Sequence, residues 1–284
     1  MKDIWLLYDD PDYALNRDFA VSMHRKGLCH GWDIFPVCLS ELTLGTAANG
    51  FPFCLRKGVS VRPDAVLSRQ RSALVSRHLE LMNVPVFNGS RVCSICNDKR
   101  ATHQFLRGLP MPETVFLRNG QSAPEAGYPY IIKPACSHGG DRVVLVHNPS
   151  EWTAAAEAIF PESAIQQSVV SDAGCDLRVY VVGGQIYAGV MRRAKQGVVS
   201  NFKLGGQATL HDLTDEETSL AQEVIRRFRQ ANAPLWLAGV DLLSHNGHPV
   251  VGEVEDVVGS RMLYQCSERD ILSDYLSALH AVME

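Results

Sequence analysis

The chain has 284 residues, of which 46% are hydrophobic and 20% are charged, which is ordinary for a globular protein and allows a sizeable core. Its formal net charge of −4 and its pI near 6.2 give no overall attraction to nucleic acid or to an anionic membrane, so neither is predicted as a partner. The composition therefore predicts a globular chain with more than one lobe.

The N-terminal segment and the cysteines indicate the compartment. MKDIWLLYDD contains one short apolar run, too short for a signal-peptide core or a membrane span, which predicts a cytoplasmic location. Eight cysteines lack the spacing of a disulfide scaffold, so reduced thiols are expected. Cys93 and Cys96 form one CxxC motif without further zinc ligands, and we interpret them as one face of a short helix.

The first third of the chain has the pattern of a small α/β domain. After a first strand, apolar residues at helical spacing predict a helix that ends near Gly27. The predicted strands are residues 4–8, 34–38, 65–68 and 84–87. Alternation of strands and helices favours a mainly parallel sheet.

The middle of the chain contains a polar loop between two strands. Asn97 is the predicted N-cap of a helix through about Arg107, and strands are predicted at 130–134 and 143–146. Backbone N–H groups of the loop CSHGGDR between those strands can bind phosphate, and Lys133 adds a positive charge. The loop lacks the P-loop pattern, so an ordinary hairpin with a surface lysine is the alternative.

Further along, capping residues and glycines mark helices and a hairpin. Ser150 is the predicted N-cap of a helix through Phe160, and 164–170 is the next strand. Strands at 177–182 and 185–191 flank Gly183-Gly184, which predicts a hairpin. Thr214 and Glu217 form a capping box that opens an amphipathic helix.

Three carboxylates lie on a predicted hairpin, LAGVDLLSHNGHPVVGEVEDVVG, at residues 237–259. Asp241 lies between Val240 and Leu242, and Glu253 lies between Gly252 and Val254, so both acids need a compensating charge. A hard cation such as Mg²⁺ supplies it through oxygen ligands, and Glu255 lies two residues beyond Glu253. A strict two-residue Asn246-Gly247 turn would put Asp241 opposite Gly252, on the wrong face. A bulged register near residues 245–248 is therefore predicted. A hairpin with solvated acids on one face is the alternative.

Three segments resemble, in order, the ATP-grasp ligases, and most closely the RimK-like branch of amino-acid ligases of the alpha-L-glutamate type. They are YIIKPACSHGGDRVVLV (130–146), GCDLRVYVVGGQIYAGVMRRAKQGVVSNFKLGG (174–206) and AGVDLLSHNGHPVVGEVED (238–256). Weaker similarity extends upstream to PDAVLSR (63–69) and NDKRATHQFL (97–106). The resemblance implies an α/β ATP-grasp fold, with a small N-terminal α/β domain (1–92), a small lobe (93–164) and a large lobe with the metal site (165–284).

The resemblance also implies roles for individual residues. The implied nucleotide-binding residues are Lys99, Lys133, Gln167, Ser168, Asp176, Ser200 and Asn201; the implied catalytic residues are Arg192 and Arg193; and the implied metal ligands are Asp241, Glu253 and Glu255. The implied cofactors are ATP and Mg²⁺, with Mn²⁺ as an alternative metal. Metal ions and lysines would offset the charge of the triphosphate, and arginines would stabilise the charge that develops during transfer.

The chain departs from the family pattern at several positions. Gln167 and Ser168 replace a glutamate and an aromatic residue, Met191 replaces an acid, and Glu255 replaces an asparagine. Glu255 keeps an oxygen ligand and remains compatible with a metal. The segment 256–261, DVVGSR, differs from the pattern near the substrate end, which predicts a different donor or acceptor.

These features predict an ATP- and Mg²⁺-dependent ligase that joins a carboxylate to an amine through an acylphosphate and releases ADP and phosphate. Its predicted partners are amino acids or peptides, and a homo-oligomer is left open. Arg69, Arg178 and Arg261 are candidates to bind a substrate carboxylate, with a structural or surface role as the alternative. The competing functions are an ATP-binding regulatory or interaction module without ligase activity and a peptide macrocyclase of the same superfamily.

Overall fold

The computed structural model describes residues 1–193 and 207–284. Its strands are β1 (Lys2–Tyr8), β2 (Trp32–Cys38), β3 (Leu42–Thr46), β4 (Pro52–Arg56), β5 (Val59–Ser60), β6 (Ala65–Arg69), β7 (Val86–Phe87), β8 (Thr114–Leu117), β9 (Tyr130–Pro134), β10 (Val144–Val146), β11 (Ala164–Ser168), β12 (Cys175–Val182), β13 (Gln185–Arg193), β14 (Gln207–His211), β15 (Leu237–His245) and β16 (His248–Glu255).

Its helices are α1 (Asp10–Leu15), α2 (Arg17–Gly27), α3 (Ala73–Leu81), α4 (Ser90–Cys96), α5 (Lys99–Phe105), α6 (Pro149–Glu157), α7 (Asp215–Gln230), α8 (Arg261–Cys266) and α9 (Ile271–Met283), with short 3-10 helices at Leu28–His30 and Leu39–Glu41. Within these two described segments, no helix combines the length and the apolar character that crossing a membrane requires.

The first sheet is parallel, as predicted, with the strand order β2-β1-β6-β7. The last five residues of β1 and all of β6 are buried, because helices and neighbouring strands cover both faces of a parallel sheet. The antiparallel strands β3, β4 and β5 form a separate small sheet. The carboxyl ends of β1 and β6 therefore meet at one edge of the first sheet.

Two antiparallel sheets make up most of the remaining chain. The second has the order β10-β9-β11-β8, and the third has the order β14-β13-β12-β15-β16. Both bonds of the predicted capping box between Thr214 and Glu217 are present, and the apolar stripe of α7 packs on the third sheet. The boundary predicted between the small and the large lobe, at residues 164/165, falls within β11, which pairs with β8 and β9. The division of the chain into three parts stays a prediction.

A shared core joins the first sheet to the third. Ile4 of β1 and Met23 of α2 belong to one buried cluster with Tyr180 of β12 and Leu276 of α9. The buried Asn88 strengthens this junction, because its amide donates to the carbonyl oxygens of Leu237 and Asp256 and accepts from the backbone of Trp236. This packing holds the ends of β1 and β6 against the third sheet.

Two predicted helix starts are wrong by one or two residues. The N-cap of α5 is Asp98, whose carboxylate accepts from the Arg100 amide, whereas the Asn97 side chain bonds to the Cys93 carbonyl. The N-cap of α6 is Asn148 instead of Ser150, because Pro149 occupies the first helical position. In both cases the side chain closest to the free N–H groups takes the cap.

The hairpin of β15 and β16 has the predicted register but a different bulge. His245 pairs with His248 across a strict two-residue turn, so the irregularity predicted near residues 245–248 is wrong. Asn246 and Gly247 have φ angles of 54° and 81°, the conformation of a tight hairpin turn. Gly252 is instead the extra residue of a bulge next to Asp241, which brings Asp241 opposite Glu253.

All eight cysteines are free, as the sequence predicts. Cys93 and Cys96 lie on α4, which confirms the interpretation of the CxxC motif as part of a short helix. Burial raises the pKa of the Cys93 thiol to about 12. A thiol with so high a pKa is a poor nucleophile and a poor metal ligand at neutral pH.

Candidate functional site

A cavity of about 700 Å³ lies where the three main sheets meet. The N-terminal sheet contributes the ends of β1 and β6, the second sheet contributes β9 and β11, and the third sheet contributes β12, β13, β15 and β16. Its volume is typical of a small-molecule site. The loop after β9 and the segment before α8 complete the lining.

The cavity brings together most of the residues predicted from the sequence. Those that line it are Lys99, Lys133, Gln167, Asp176, Arg192, Asp241, Glu253 and Glu255. In the described part of the chain, Ser168 and Arg193 are not part of this lining. Ser200 and Asn201 lie outside the described residues. The roles of all these residues stay predictions.

Two lysines and a glycine-containing loop form one wall. Lys133 is partly buried, and burial together with the positive charge of Lys99 lowers its pKa to about 8, although Glu253 opposes the shift. Lys99 donates to the backbone oxygen of Ser137 over 2.5 Å, which ties it to the loop. Gly139 and Gly140 adopt positive φ angles and line the cavity. This wall offers cations and backbone to an anionic ligand.

Gln167 on β11 is held by two residues that the sequence reasoning missed. Its amide nitrogen donates to Thr114 Oγ1 over 3.0 Å and lies 3.2 Å from His103 Nε2. Burial and the nearby Lys133 lower the pKa of His103 to about 4, so its ring is neutral at pH 7. His103 lies one helical turn after Lys99 on α5, and that spacing could have indicated that both lie on the same face of the helix.

A second wall, built by the third sheet, contains a chain of five alternating charges, which we call the arginine–carboxylate chain: Asp176, Arg192, Asp241, Arg178 and Glu255. Arg178 makes two bonds of 2.7 Å to Asp241, and its Nη1 lies 2.5 Å from Glu255. Arg192 makes two bonds of 2.5 Å to Asp176 and one of 2.7 Å to Asp241.

Strand register explains the arginine–carboxylate chain. Arg178 on β12 stands directly across from Asp241 on β15, and Asp176 stands across from Arg192 on β13. Gly239 leaves room for the guanidinium, because a Cβ there would lie 3.1 Å from Arg178 Nε. Directly opposed residues on antiparallel strands have adjacent side chains, so these pairs follow from the sheet itself.

The electrostatics of Asp241 follow from these contacts. Asp241 is 2% exposed, and burial alone would raise its pKa. The positive charges of Arg178 and Arg192 outweigh burial and lower the pKa to about 2. Arg178 is 5% exposed and forms ion pairs with two carboxylates, Asp241 and Glu255. These contacts favour a structural role for Arg178 over the binding of a substrate carboxylate.

The donor set suits a hard cation only in part. Asp241, Glu253 and Glu255 lie on one face, as the register requires, and all three line the cavity. Arginines hold both oxygens of Asp241, and the described residues contain no group of three His, Cys, Asp or Glu arranged around a metal. Mg²⁺ often binds one or two carboxylates together with substrate phosphates. Glu253 and Glu255 fit that description best.

Comparisons with known proteins identify the family of the chain. The RimK-like ATP-grasp domain family matches residues 115–279. The chain is 31% identical over 225 residues to the "Probable alpha-L-glutamate ligase 2" of Shewanella frigidimarina (strain NCIMB 400), covering 73% of this chain and 74% of that protein.

Solved structures share the fold at low sequence identity. D-alanine–D-alanine ligase from Bacillus anthracis, complexed with ATP, has a TM-score of 0.70 at 14% identity and covers 100% of this chain and 97% of its own. The ATP-grasp ligase PsnB, complexed with a phosphomimetic variant of its minimal precursor, Mg and ADP, has a TM-score of 0.67 at 16% identity, with 100% and 99% covered. The chain has the ATP-grasp fold and belongs to the RimK-like ATP-grasp family of ligases.

Proposed function

We propose that this chain is an ADP-forming ligase that joins a carboxylate to an amine, with ATP and Mg²⁺ bound in the cavity. One observation carries the proposal: the cavity places two lysines and a glycine-containing loop on one wall and carboxylates on the other. The first wall suits the oxygens of a triphosphate. The second offers Glu253 and Glu255 to the metal that accompanies it.

The reaction transfers the terminal phosphoryl group of ATP to a carboxylate. A carboxylate oxygen attacks the γ-phosphorus, the bond to the β–γ bridging oxygen breaks, and ADP leaves. The amine then attacks the carbonyl carbon of the acylphosphate, the bond to the phosphate oxygen breaks, and an amine proton is released to solvent. The protein's contribution is position and charge, because no covalent bond to the enzyme is needed.

Individual residues support this chemistry in different ways. Lys99 and Lys133 are proposed to hold the phosphates, and the Lys133 ammonium becomes easier to keep protonated when an anion approaches. Bound Mg²⁺ would offset charge on the same phosphates. Asp241 aligns Arg178 and Arg192 through its carboxylate. A direct metal contact by Asp241 would require it to leave one of these arginines.

The predicted catalytic arginines occupy different positions. Arg192 is in the arginine–carboxylate chain with its charge compensated by Asp176 and Asp241. Arg193 is exposed at the end of β13, directly before the residues that are not described. We propose Arg192 as a positioning residue and keep Arg193 as the candidate that stabilises the transferred phosphoryl group.

The names of the relatives indicate the first substrate to test. Because the chain resembles probable alpha-L-glutamate ligases, we propose L-glutamate as the amino-acid substrate and a peptide, protein or second amino acid as its partner. The cytoplasmic location and the oligomeric state stay predictions.

The decisive experiment measures ADP release over a matrix of amino acids and peptides, followed by mass spectrometry of the product. A product heavier by one amino acid minus water identifies ligation. ATP binding without ADP release across the matrix would instead favour a regulatory ATP-binding module. Loss of water within a single peptide would indicate a macrocyclase.

A further inference from the structure

The N-terminal sheet brings a second set of polar side chains to the cavity, away from the lysines. Tyr8 and Arg69 are the last residues of β1 and β6, and they pair in register across the parallel ladder. β2 and β6 flank β1 on opposite sides, so the chain connections diverge at this point. In open parallel sheets, ligands bind at the carboxyl ends of the strands where the connections diverge.

Arg69 is a buried cation without an acidic partner. It is 6% exposed, its guanidinium carbon lies 4.4 Å from the centre of the Phe19 ring, and its Nη1 donates to the Val258 carbonyl over 2.9 Å. Its Nε makes no hydrogen bond, and across residues 1–193 and 207–284 no carboxylate lies within 4.0 Å of it. A buried charge in this state is costly unless a counter-ion binds.

Tyr8 adds a second buried donor, its hydroxyl group. The side chain is 1% exposed, its ring packs against Tyr13, and its hydroxyl proton has no acceptor among the residues described. Burial raises its pKa above the ordinary tyrosine value, although the nearby Arg69 cation opposes the shift. The hydroxyl therefore keeps its proton at neutral pH and is free to donate it in a hydrogen bond.

The neighbouring Arg71 differs from Arg69, because it has an acidic partner. Arg71 lines the same cavity two residues later, but it forms an ion pair with Asp12. Folding therefore gives Arg71 an acidic partner from the same domain. It leaves Arg69 Nε and the Tyr8 hydroxyl without an acceptor, and both residues line the cavity. Two buried donors without partners, on adjacent strand ends, match one bound anion.

We propose that Tyr8 and Arg69 form a subsite for a carboxylate group of the substrate, one that stays unreacted. This inference rests on the proposed ligase function and adds a substrate class to it: an amino acid or peptide that carries a carboxylate besides the one that is phosphorylated. A guanidinium withdraws electron density from a bound carboxylate and makes it a poorer nucleophile, so the group held here is not the one that attacks ATP. Lys99 on α5 and Lys133 on β9 serve the phosphates.

The test uses the full chain with a non-hydrolysable ATP analogue and Mg²⁺. Calorimetric titrations with L-glutamate, glutarate and inorganic phosphate give the dissociation constant of each probe. Wild-type protein should bind at least one of the two carboxylate probes. Tyr8→Phe and Arg69→Gln should each raise that dissociation constant ten-fold or more, which corresponds to about 1.4 kcal/mol. The affinity for the ATP analogue should be unchanged in both variants.

Tyr8→Phe separates binding from folding. Its hydroxyl proton has no acceptor among the described residues, so loss of the hydroxyl should leave the melting temperature unchanged or raise it. A merely structural tyrosine would show the reverse, with a lower melting temperature and unchanged carboxylate affinity. Because Arg69→Gln also loses the bond to Val258 and can fail to fold, Tyr8→Phe alone is sufficient for the test.

The matched control is Arg62→Gln, which removes one positive charge from the same domain. Arg62 is exposed, donates to the Asn83 carbonyl and does not line the cavity in the described structure, so its loss should not change carboxylate affinity. If the two subsite residues hold one anion together, their double variant should lose less than the sum of the single losses.

Three outcomes would overturn the subsite: no carboxylate probe binds wild-type protein, Tyr8→Phe binds it as wild type does, or only inorganic phosphate binding responds to the variants. These outcomes are separate from failure of the ligase proposal, which would appear as absence of ADP release by wild-type protein over the whole substrate matrix. Carboxylate binding that depends on Tyr8, in a protein that releases no ADP, would keep the subsite and reject the ligase.

Discussion

Arg178 and Arg69 are buried to a similar extent in the walls of one cavity, yet their surroundings differ. Arg178 contacts two carboxylates, Asp241 and Glu255, which strand register places beside it. Arg69 contacts a ring and a carbonyl oxygen, and one of its nitrogens has no partner among the described residues. The comparison indicates that the first charge is balanced by the fold, whereas the second is left for a ligand.

The largest expected effect comes from removing Arg178, whose charge two carboxylates balance. Arg178→Met should lower the free energy of unfolding by about 3–5 kcal/mol, because it leaves the buried Asp241 and the partly buried Glu255 with less compensation. Urea unfolding measures the change. The exposed arginine variant Arg226→Met, which breaks a surface pair with Glu223, should lower the free energy of unfolding far less. A similar cost for both variants would refute the importance of burial.

Removing the Lys133 ammonium group should affect the use of ATP more than the stability of the protein. Lys133→Met should reduce kcat/KM for ATP by about 10²–10³-fold, the range for losing one preorganised charge-stabilising donor. Because burial already disfavours the Lys133 charge, the melting temperature should stay equal or rise. ADP release and thermal unfolding of the same preparation check both parts. A stable variant with wild-type turnover would remove Lys133 from the site.

Glu255 has two contacts of interest, because it pairs with Arg178 and also lines the cavity. Glu255→Asn should keep substantial activity but need about ten-fold more Mg²⁺, because the amide retains an oxygen and loses a negative charge. Glu255→Ala should lose activity. ADP release is measured against Mg²⁺ concentration for both variants. If the alanine variant behaves like wild type, Glu255 is not a metal ligand.

The smallest effect concerns a group that is buried in its neutral form. The folded pKa of His103 is about 4, whereas an unfolded histidine has a pKa of about 6.5. Between these values the unfolded chain binds a proton that the folded protein does not, so stability falls as the pH is lowered. Allowing for partial exposure, His103 should account for about 1–2 kcal/mol of that loss. Urea midpoints between pH 7 and pH 4 should decline less steeply for His103→Gln, and an unchanged decline would contradict this origin.

Much of the fold could be predicted because its signals are local. The hairpin at Gly183-Gly184 and the capping box of Thr214 and Glu217 depend on residues a few positions apart, and both are present. The helix starts at Asn97 and Ser150 were misplaced because several adjacent residues can accept from free N–H groups, and small differences in position decide between them.

The candidate site was predictable as a set of residues but not as a set of contacts. The acids of the hairpin were expected to need a compensating charge, and Asp241 does have one. That charge comes from Arg178 and Arg192, which are distant in sequence and become adjacent only through the register of the third sheet. The bulge at Gly252 likewise depends on the pairing of two strands, which the turn residues alone could not determine.

The sequence by itself determined the family, the alternation of strands and helices, and the residue types available for phosphate, metal and carboxylate, because these follow from local pattern and from resemblance. The tertiary structure decided which charges have a partner of opposite charge and which do not. Burial and partner geometry set the energy of a charge, and both depend on residues brought together from different sheets. Arg69 and Arg178 look alike in the sequence, and only the packed chain distinguishes them.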